Sequence, residues 1–393
     1  MALNISILMA VLATGGLLIW PRLSGLKLWR AAITPLASII GSGFLVLGPI
    51  LDASYGWQAP VYMAGLCAGA WLFGAAVRRN IAHRAEHEET AGTELILEQA
   101  ASWVLSVAYV ISVAYYLNLF GAFGVRLTPF DGAFNARLLT TAAFAVILVV
   151  GWTRGFGALE RMEQVSVGLK LAIIAGLLLG LAVFFAKTVS GDALIVKPPV
   201  LSGWPAITLA FGLVVTVQGF ETSRYLGRTY DAQTRIRSMR LAQIVATVIY
   251  MIYILLLTFT IDTGDTELTE TTIISMMEVV APILPLLLVA AALSAQFSAA
   301  VADTGGAGGL VSELTGGRLT PRQAYVVLVT LGLLLTWTSN IFEIISYASR
   351  GFALYYALQS AIACVASSGA RRGAFAALTV LGVAITLFGV PVE

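Results

Sequence analysis

Two apolar segments of the sequence are interrupted by glycine, at Ile-Ile-Gly-Ser-Gly-Phe (residues 39–44) and at Val-Gln-Gly-Phe-Glu (residues 217–221). We call residues 39–44 the first break and residues 217–221 the second break. Glycine readily leaves helical geometry, and an unwound segment has peptide N–H and C=O groups without helical partners. Inside a bilayer such groups are tolerated only where they line a cavity or are buried in protein. The two breaks therefore predict a buried polar site inside a membrane.

The chemistry of this site follows from the freed groups. Freed N–H groups and the positive end of the following half-helix suit a carboxylate. Freed carbonyls suit an ammonium group. The candidates for the carboxylate are Ile40, Gly41, Ser42 and Gly43, and those for the ammonium group and for selectivity are Thr216, Val217, Gln218 and Gly219. Close helix packing through small residues is the alternative reading of either break alone. Paired breaks at matched positions of two halves favour a binding site near the membrane midplane.

The composition is that of an integral membrane protein. The chain is 59% hydrophobic and 11% charged over 393 residues, which excludes an ordinary soluble domain. Apolar runs long enough to cross about 30 Å of hydrocarbon recur along its length. They predict an all-α protein with twelve spans, near residues 3–20, 31–51, 57–77, 94–122, 138–153, 162–186, 205–226, 241–261, 281–308, 323–339, 342–366 and 373–391.

The basic residues predict an orientation with the N-terminus outside. In that orientation 17 of the 23 Lys and Arg fall in inner loops and four in outer loops, a strong positive-inside bias. The outer four are Arg126, Arg137, Lys187 and Lys197, and the inner 17 are Arg22, Lys27, Arg30, Arg78, Arg79, Arg84, Arg154, Arg161, Arg224, Arg228, Arg235, Arg237, Arg240, Arg318, Arg322, Arg371 and Arg372.

The same count of spans predicts an inverted repeat. The span with the first break starts inside and the span with the second break starts outside, so two five-helix units of opposite orientation follow, at residues 31–186 and 205–366. One extra helix flanks each end, at 3–20 and 373–391. We expect one transmembrane domain over 1–393, in the inner membrane of a bacterium.

Three local motifs resemble those of the amino acid–polyamine–organocation (APC) transporters. Residues 38–44 resemble the first-helix motif Ile-Gly-Ser-Gly-Ile-Phe, residues 217–221 resemble the sixth-helix motif Phe-x-Gly-Phe-Glu, and residues 165–171 resemble the fifth helix with its lysine. Val217 departs from the usual aromatic. The resemblance implies a LeuT-like fold, alternating access and, in many members, an amino acid or amine as cargo.

Lys170 is the most informative single residue. It lies nine residues beyond Arg161, so roughly 13 Å along a helix that enters the membrane. A lysine near the bilayer centre costs on the order of 2.5–3.5 kcal/mol on insertion scales. A purpose is therefore expected for this charge.

The resemblance implies that purpose. In the family an equivalent lysine occupies the place where sodium binds in sodium-coupled relatives. Its partners here would be the carbonyls of Ala37 and Ile40 and the hydroxyl of Ser298 or Ser294. The alternative is a permanent structural charge paired with Asp303. Proton coupling through Lys170 and plain exchange both remain open, as does sodium coupling, because Ala-Gln-Phe-Ser at 295–298 faintly resembles a sodium-site pattern.

Other polar residues lie inside predicted spans. Glu221 matches the family motif, and we expect it to make a structural or gating hydrogen bond. Arg350 is expected either to meet an anionic group of the cargo or to neutralise Glu343, Glu221 or a cluster of carbonyls. Tyr109, Ser112 and Tyr116 either face the cargo or pack between helices, and Glu98 is expected to be a gate or loop anchor near the cytoplasm.

Several functions have no support in the sequence. No Gly-x-x-x-x-Gly-Lys-Ser/Thr motif is present, and no nucleic-acid binding, cofactor or enzymatic activity is expected. His83 and His87 have a spacing that can ligate a metal on a helix, but the charges around them predict a solvated loop without metal. Two functions remain: a secondary transporter of an amino acid or related zwitterion or amine, and a non-transporting sensor on the same scaffold. The oligomeric state is left open.

Overall fold

A computed structural model describes residues 2–41, 43–87, 92–153, 157–261 and 268–392, without the side chains of 157–165 and 228. Over these ranges the chain is helical and contains no strand, which confirms the all-α prediction. The helices are α1 (Ala2–Ile19), α2 (Pro21–Ser24), α3 (Lys27–Ile39), α4 (Gly43–Tyr55), α5 (Ala59–Glu86), α6 (Gly92–Arg126), α7 (Ala133–Thr153), α8 (Gly157–Ser190), α9 (Gly203–Gly212), α10 (Thr222–Tyr225), α11 (Ala232–Thr258), α12 (Thr272–Val280), α13 (Leu284–Leu314), α14 (Pro321–Thr338), α15 (Ile341–Val365) and α16 (Gly369–Phe388).

Eight helical stretches of the described chain are long and apolar enough to cross a membrane: Ala2–Ile19, Gly43–Glu86, Gly92–Arg126, Ala133–Thr153, Ser166–Ser190, Ala232–Thr258, Leu284–Leu314 and Gly369–Phe388. The two segments with glycine breaks are divided into shorter pieces, of which α3 has 13 residues and α9 has 10. Neither piece alone reaches the roughly 20 residues that a full crossing needs. A helical membrane protein is therefore the supported architecture, and the number of twelve spans stays a prediction.

The helices extend beyond the predicted spans at several ends. The clearest case is α5, which continues as helix through Glu86. The prediction of a loop at His83 was therefore wrong. The sequence rule ends a span at the first charged residues, whereas the backbone hydrogen bonds of a helix continue past those residues.

The 35-residue α6 lies at the centre of the fold. It packs most extensively against α13 and α15, and α11 packs against α3 and α5. Of the pieces next to the breaks, α4 is buried over nearly its whole length. α9 is buried on one side only, and its Trp204 and Ile207 are exposed. The long helices thus surround the break residues themselves, while α9 reaches the surface of the bundle.

The first helix packs against α8 through small residues. Ile7 is fully buried, and a Cβ at Gly176 would lie 2.7 Å from Cγ2 of Val11. Gly180, one turn further, would place a Cβ 3.1 Å from Cδ1 of Ile7. Glycines four apart on one helix let a second helix approach closely in a membrane. This groove fixes α1 on the outside of α8.

Replacement of Gly176 by leucine is expected to separate α1 from α8. Overpacking of this kind costs about 1–3 kcal/mol, and the unfolding midpoint of the purified protein in detergent should fall accordingly. Gly168→Leu is the matched control on the same helix, because a Cβ there meets nothing within 4 Å. Equal melting temperatures of the two variants would contradict this packing.

Candidate functional site

The first break interrupts helical geometry between α3 and α4. α3 ends at Ile39, and Ile40 has φ −85° and ψ 58°, outside the helical region, although its N–H still donates to the carbonyl of Leu36. α4 begins at Gly43. Ser42 lies outside the described residues, so its predicted part in the site stays a prediction.

The second break is longer. α9 ends at Gly212, a 3-10 turn covers Val214–Val217, and α10 begins only at Thr222. Between them Gln218 is extended, with ψ 176°. Gly219 has φ +113°, a conformation that suits glycine. The peptide groups around Gln218 and Gly219 have therefore left the helical hydrogen-bond pattern.

Buried side chains satisfy several groups freed by the second break. Ser349 on α15 donates from Oγ to the carbonyl of Gly212 (2.7 Å) and accepts from the N–H of Val215 (2.9 Å). Glu221 accepts from the N–H of Gly219 (2.9 Å) and from the hydroxyl of Tyr356 (2.7 Å). A hydrogen bond of Glu221, as predicted, is therefore present: the one from Gly219 lies within the second break, and the one from Tyr356 ties the break to α15.

The two breaks contact each other through their glycines. A Cβ at Gly43 would lie 2.7 Å from Cα of Thr216, and a Cβ at Gly219 would lie 2.5 Å from Cβ of Ser38. Real Cβ atoms do not approach other atoms this closely. Position 43 must therefore be glycine because Thr216 lies so close, and position 219 must be glycine because Ser38 lies so close.

Tyr250 on α11 connects the same two segments by hydrogen bonding. Its fully buried hydroxyl lies 3.0 Å from the carbonyl oxygen of Ile39 and 2.6 Å from that of Thr216. Ile39 is the first residue of the first break, and Thr216 directly precedes the second break. The sequence analysis missed Tyr250. The one available signal was that a buried tyrosine hydroxyl needs a partner.

Lys170 lies beside the first break. It is 5% exposed, and its Nζ donates to the carbonyl of Ala37 over 2.7 Å. One turn earlier on α8, the hydroxyl of Ser166 lies 2.6 Å from that of Ser294 and 2.8 Å from the carbonyl of the same serine. Ser298 lies one turn further along α13 and is half-buried. One face of α8 therefore contacts both α3 and α13.

Gln296 is a second residue that the sequence analysis missed. It is fully buried, and neither atom of its amide has a hydrogen-bond partner among the described residues. Together with Lys170 and Gly41 it lines a cavity of about 10 Å³. A volume of that order accommodates about one water molecule. One signal in the sequence could have indicated a buried polar role for Gln296: it lies among apolar residues and between two serines of α13.

The polar residues predicted on α6 contact the rest of this region. Ser112 donates to the carboxylate of Asp303 on α13 and lies 3.0 Å from the carbonyl of Tyr109. Tyr116 accepts from Nε2 of Gln218 (3.1 Å), so α6 reaches the second break directly. The ring of Tyr109 is 7% exposed and packs edge-on against a phenylalanine of α15.

Arg350 points to the C-terminal segment of the chain. Its Nε and Nη2 donate to the carbonyl of Gly389 over 2.9 and 2.5 Å, just past the end of α16. Glu343 forms a capping box with Asn340 at the start of α15. Of the roles expected for Arg350, contact with a carbonyl is the one that the structure contains.

A cluster of polar side chains joins α6 and α10 at one end of the bundle. Nη2 of Arg224 donates to both carboxylate oxygens of Glu98, over 2.6 and 2.5 Å, and Nη1 donates to the side chain of Gln359 on α15. Arg84 on α5 lies 3.9 Å from the same glutamate. Hydrogen bonds between two ionised groups are shorter and stronger than those between neutral groups.

At the same end, Lys27 at the start of α3 lies 2.7 Å from Asp231, the N-cap of α11. The hydrogen bond from Lys27 holds the pKa of Asp231 below its usual range. This pair joins the segment of the first break to the helix that carries Tyr250.

The histidines of α5 form a separate group. His83, Glu86 and His87 each have a ligand atom within 4.8 Å of the others. His83 also lies 3.5 Å from Glu94. This group lies at the end of α5, away from the two breaks, and contributes nothing to the site described above.

Replacement of Tyr250 by phenylalanine is expected to leave the carbonyls of both breaks without their shared donor. Loss of a donor to a buried acceptor costs about 1–3 kcal/mol, so the unfolding midpoint in detergent should fall. Tyr253→Phe is the matched control on the same helix, because the buried hydroxyl of Tyr253 has no hydrogen-bond partner in the part of the chain that the structure describes. An equal effect of both substitutions would show that ring packing, and not the hydroxyl, holds the breaks.

Comparison with known proteins gives the family of this chain. Residues 21–389 match a family described as APC superfamily transporter. A protein of Aquifex aeolicus (strain VF5), described as an uncharacterized protein, is 40% identical over 391 residues, which cover 95% of this chain and 93% of the relative. The match spans both breaks and the helices that surround them. The chain therefore belongs to the APC superfamily of transporters.

Proposed function

We propose that this protein is a secondary active transporter of an amino acid or a related small zwitterion or amine. The observation that carries this proposal is the contact between the two breaks, where unwound backbone of two helical segments meets in the buried centre of a membrane protein. Irregular backbone at that depth is typical of a cargo site in secondary transporters. The match to a transporter family supports the same class of function.

The proposed architecture is a LeuT-like 5+5 inverted repeat. The order of helices supports it, because α3–α4, α5, α6, α7 and α8 correspond in sequence order to α9–α10, α11, α13, α14 and α15. Each series begins with a divided helix, and the short α12 lies between the second and third members of the later series. The flanking helices are then α1 and α16.

In the proposed site, the N–H groups around Gly41 and Gly43 and the N-terminus of α4 hold a carboxylate. Carbonyls near Val217 and Gln218 hold the ammonium group. The contact of Tyr116 with Gln218 places α6 at the same position. A zwitterion suits this arrangement because donors and acceptors are freed on opposite segments.

Alternating access requires that one end of this site can close. The Glu98–Arg224 pair joins α6 to the half-helix after the second break. The bias of basic residues assigns this end of the bundle to the cytoplasm. We therefore propose that the pair holds the cytoplasmic side closed and breaks when the cargo is released.

Lys170 is the proposed coupling residue. Its ammonium group holds the carbonyl of Ala37 two residues before the first break, so a change in its protonation would alter the hydrogen bonding of that segment. This placement supports proton-coupled uptake or exchange. A fixed ammonium at this position also opposes a sodium ion there, because like charges repel.

The primary experiment is uptake of a labelled amino-acid mixture by proteoliposomes under an inward proton gradient without sodium. We expect accumulation above the gradient-free control. Uptake only after addition of sodium would overturn the role of Lys170 but not the transporter. Saturable binding without flux under either gradient would favour a sensor.

Replacement of Lys170 by alanine is expected to reduce gradient-driven accumulation at least tenfold or to leave it independent of pH. Lys187→Ala, at the exposed end of the same helix, is the matched control and should retain both accumulation and pH dependence. Unchanged uptake and unchanged pH dependence in the Lys170→Ala protein would refute the coupling role.

Replacement of Glu98 by glutamine is expected to open the cytoplasmic side. Ser223→Cys on α10 reports the opening, because Ser223 is fully buried. Cys67 and Cys364 would be replaced by alanine in this background. A membrane-impermeant maleimide should label the cysteine several-fold faster when Glu98 is glutamine. Glu94→Gln, one turn earlier on α6, is the control, and equal rates in the two variants would exclude the closing role.

A further inference from the structure

A cavity of about 360 Å³ lies behind the second break, between α5, α9 and α16. Its volume falls within the range of small-molecule sites. The lining side chains are apolar or aromatic with the exception of Gln218. Lys170 and the first break do not border it, but Val217 and Gln218 of the second break do, so it adjoins the site of the proposed function from the side of α5 and α16.

This cavity opens toward the bilayer. Val61 on α5 is 65% exposed and Ile207 on α9 is 41% exposed, and both line it. α5 belongs to a stretch that could cross a membrane, so its exposed face meets hydrocarbon. A molecule dissolved in the bilayer can reach the cavity without passing through water, and an apolar body is favoured inside it.

Gln218 is the lining residue of this cavity that carries an amide side chain. The residue is 3% exposed and its Nε2 donates to Tyr116, but its Oε1 has no hydrogen-bond partner among the described residues. A buried acceptor without a donor is unfavourable. A hydrocarbon chain alone provides no donor, whereas a hydroxyl or amine does.

We propose that this cavity binds an amphiphile from the bilayer, with an apolar body of medium length and one hydrogen-bond donor. The body lies along Gly65 and Gly69 of α5, and the donor reaches Oε1 of Gln218. Because Gln218 is part of the second break, an occupant contacts the segment that must rearrange during transport. This site does not depend on the nature of the cargo.

Photolabelling of the full-length protein in phosphatidylcholine liposomes tests this proposal. The probe is an octanol that carries an aliphatic diazirine, and the comparison probe is the corresponding octane without the hydroxyl. Mass spectrometry should find the alcohol on peptides that contain residues 61–70 and 207–220. Labelling by the alcohol should exceed that by the alkane at least fivefold at equal concentration in the membrane.

Variants locate the site. Gly65→Leu and Gly69→Leu, combined, should reduce labelling by the alcohol about tenfold, because both positions line the cavity and a Cβ at either meets nothing within 4 Å. Gly16→Leu, with the same open surroundings on α1, is the control and should label as the unmodified protein does. Gln218→Leu should remove the preference for the alcohol over the alkane while labelling persists.

Two other results of the labelling experiment would overturn the proposal. Labelling that survives filling of the cavity would place the amphiphile elsewhere. Equal labelling by both probes in the unmodified protein would show a groove for lipid chains without recognition of a donor. Because labelling requires no flux, a failure of the uptake experiment leaves this result unaffected.

Discussion

The contact between the two glycine breaks is the constraint on which the rest of this structure depends. Gly43 has no space for a Cβ beside Thr216, and Gly219 has none beside Ser38. The two segments can therefore approach to backbone contact, at the point where each has lost its helical hydrogen bonds. In a bilayer that loss is tolerated only if protein surrounds the unwound backbone. The long helices around the breaks meet this requirement.

The surrounding helices satisfy the freed groups from different sides. Tyr250 comes from α11, Ser349 and Tyr356 come from α15, and Lys170 comes from α8. Tyr250, Ser349 and Lys170 contact backbone carbonyls directly, whereas Tyr356 donates to the carboxylate of Glu221, which in turn accepts from the N–H of Gly219. Such side-chain contacts can exchange partners at lower cost than a helical ladder can unfold. A polar centre held by separate helices is therefore compatible with the alternating access that we propose.

Two buried amide side chains next to cavities have atoms without a hydrogen-bond partner among the described residues. Gln296 next to Lys170 and Gln218 next to the apolar cavity each keep amide atoms that no described residue satisfies. Buried amides are normally paired. Both lie next to a cavity, and both are therefore positions where a small molecule would complete the hydrogen bonding.

The sequence by itself determined the class of the protein and the places where its helices are interrupted. Composition and span length led to an all-helical membrane protein, and the glycine motifs led to the APC superfamily; the structure supports the first and the family match confirms the second. The motif also led to the carbonyl of Ala37 as a partner of Lys170, and the structure places these groups 2.7 Å apart. The positions of glycines and the length and apolar content of each span are local properties of the chain, so they can be identified from a single sequence.

Only the tertiary structure decided which side chains face the breaks. The sequence predicts no role for Tyr250, Ser349 or Gln296. It also leaves the direction of Arg350 open, whereas in the structure this side chain donates to the carbonyl of Gly389. In a soluble protein the periodicity of apolar residues shows which face of a helix is buried. In spans that are apolar on all sides that signal is lost, because lipid and protein interior are equally apolar. The contacts between helices then determine the facing of each polar residue.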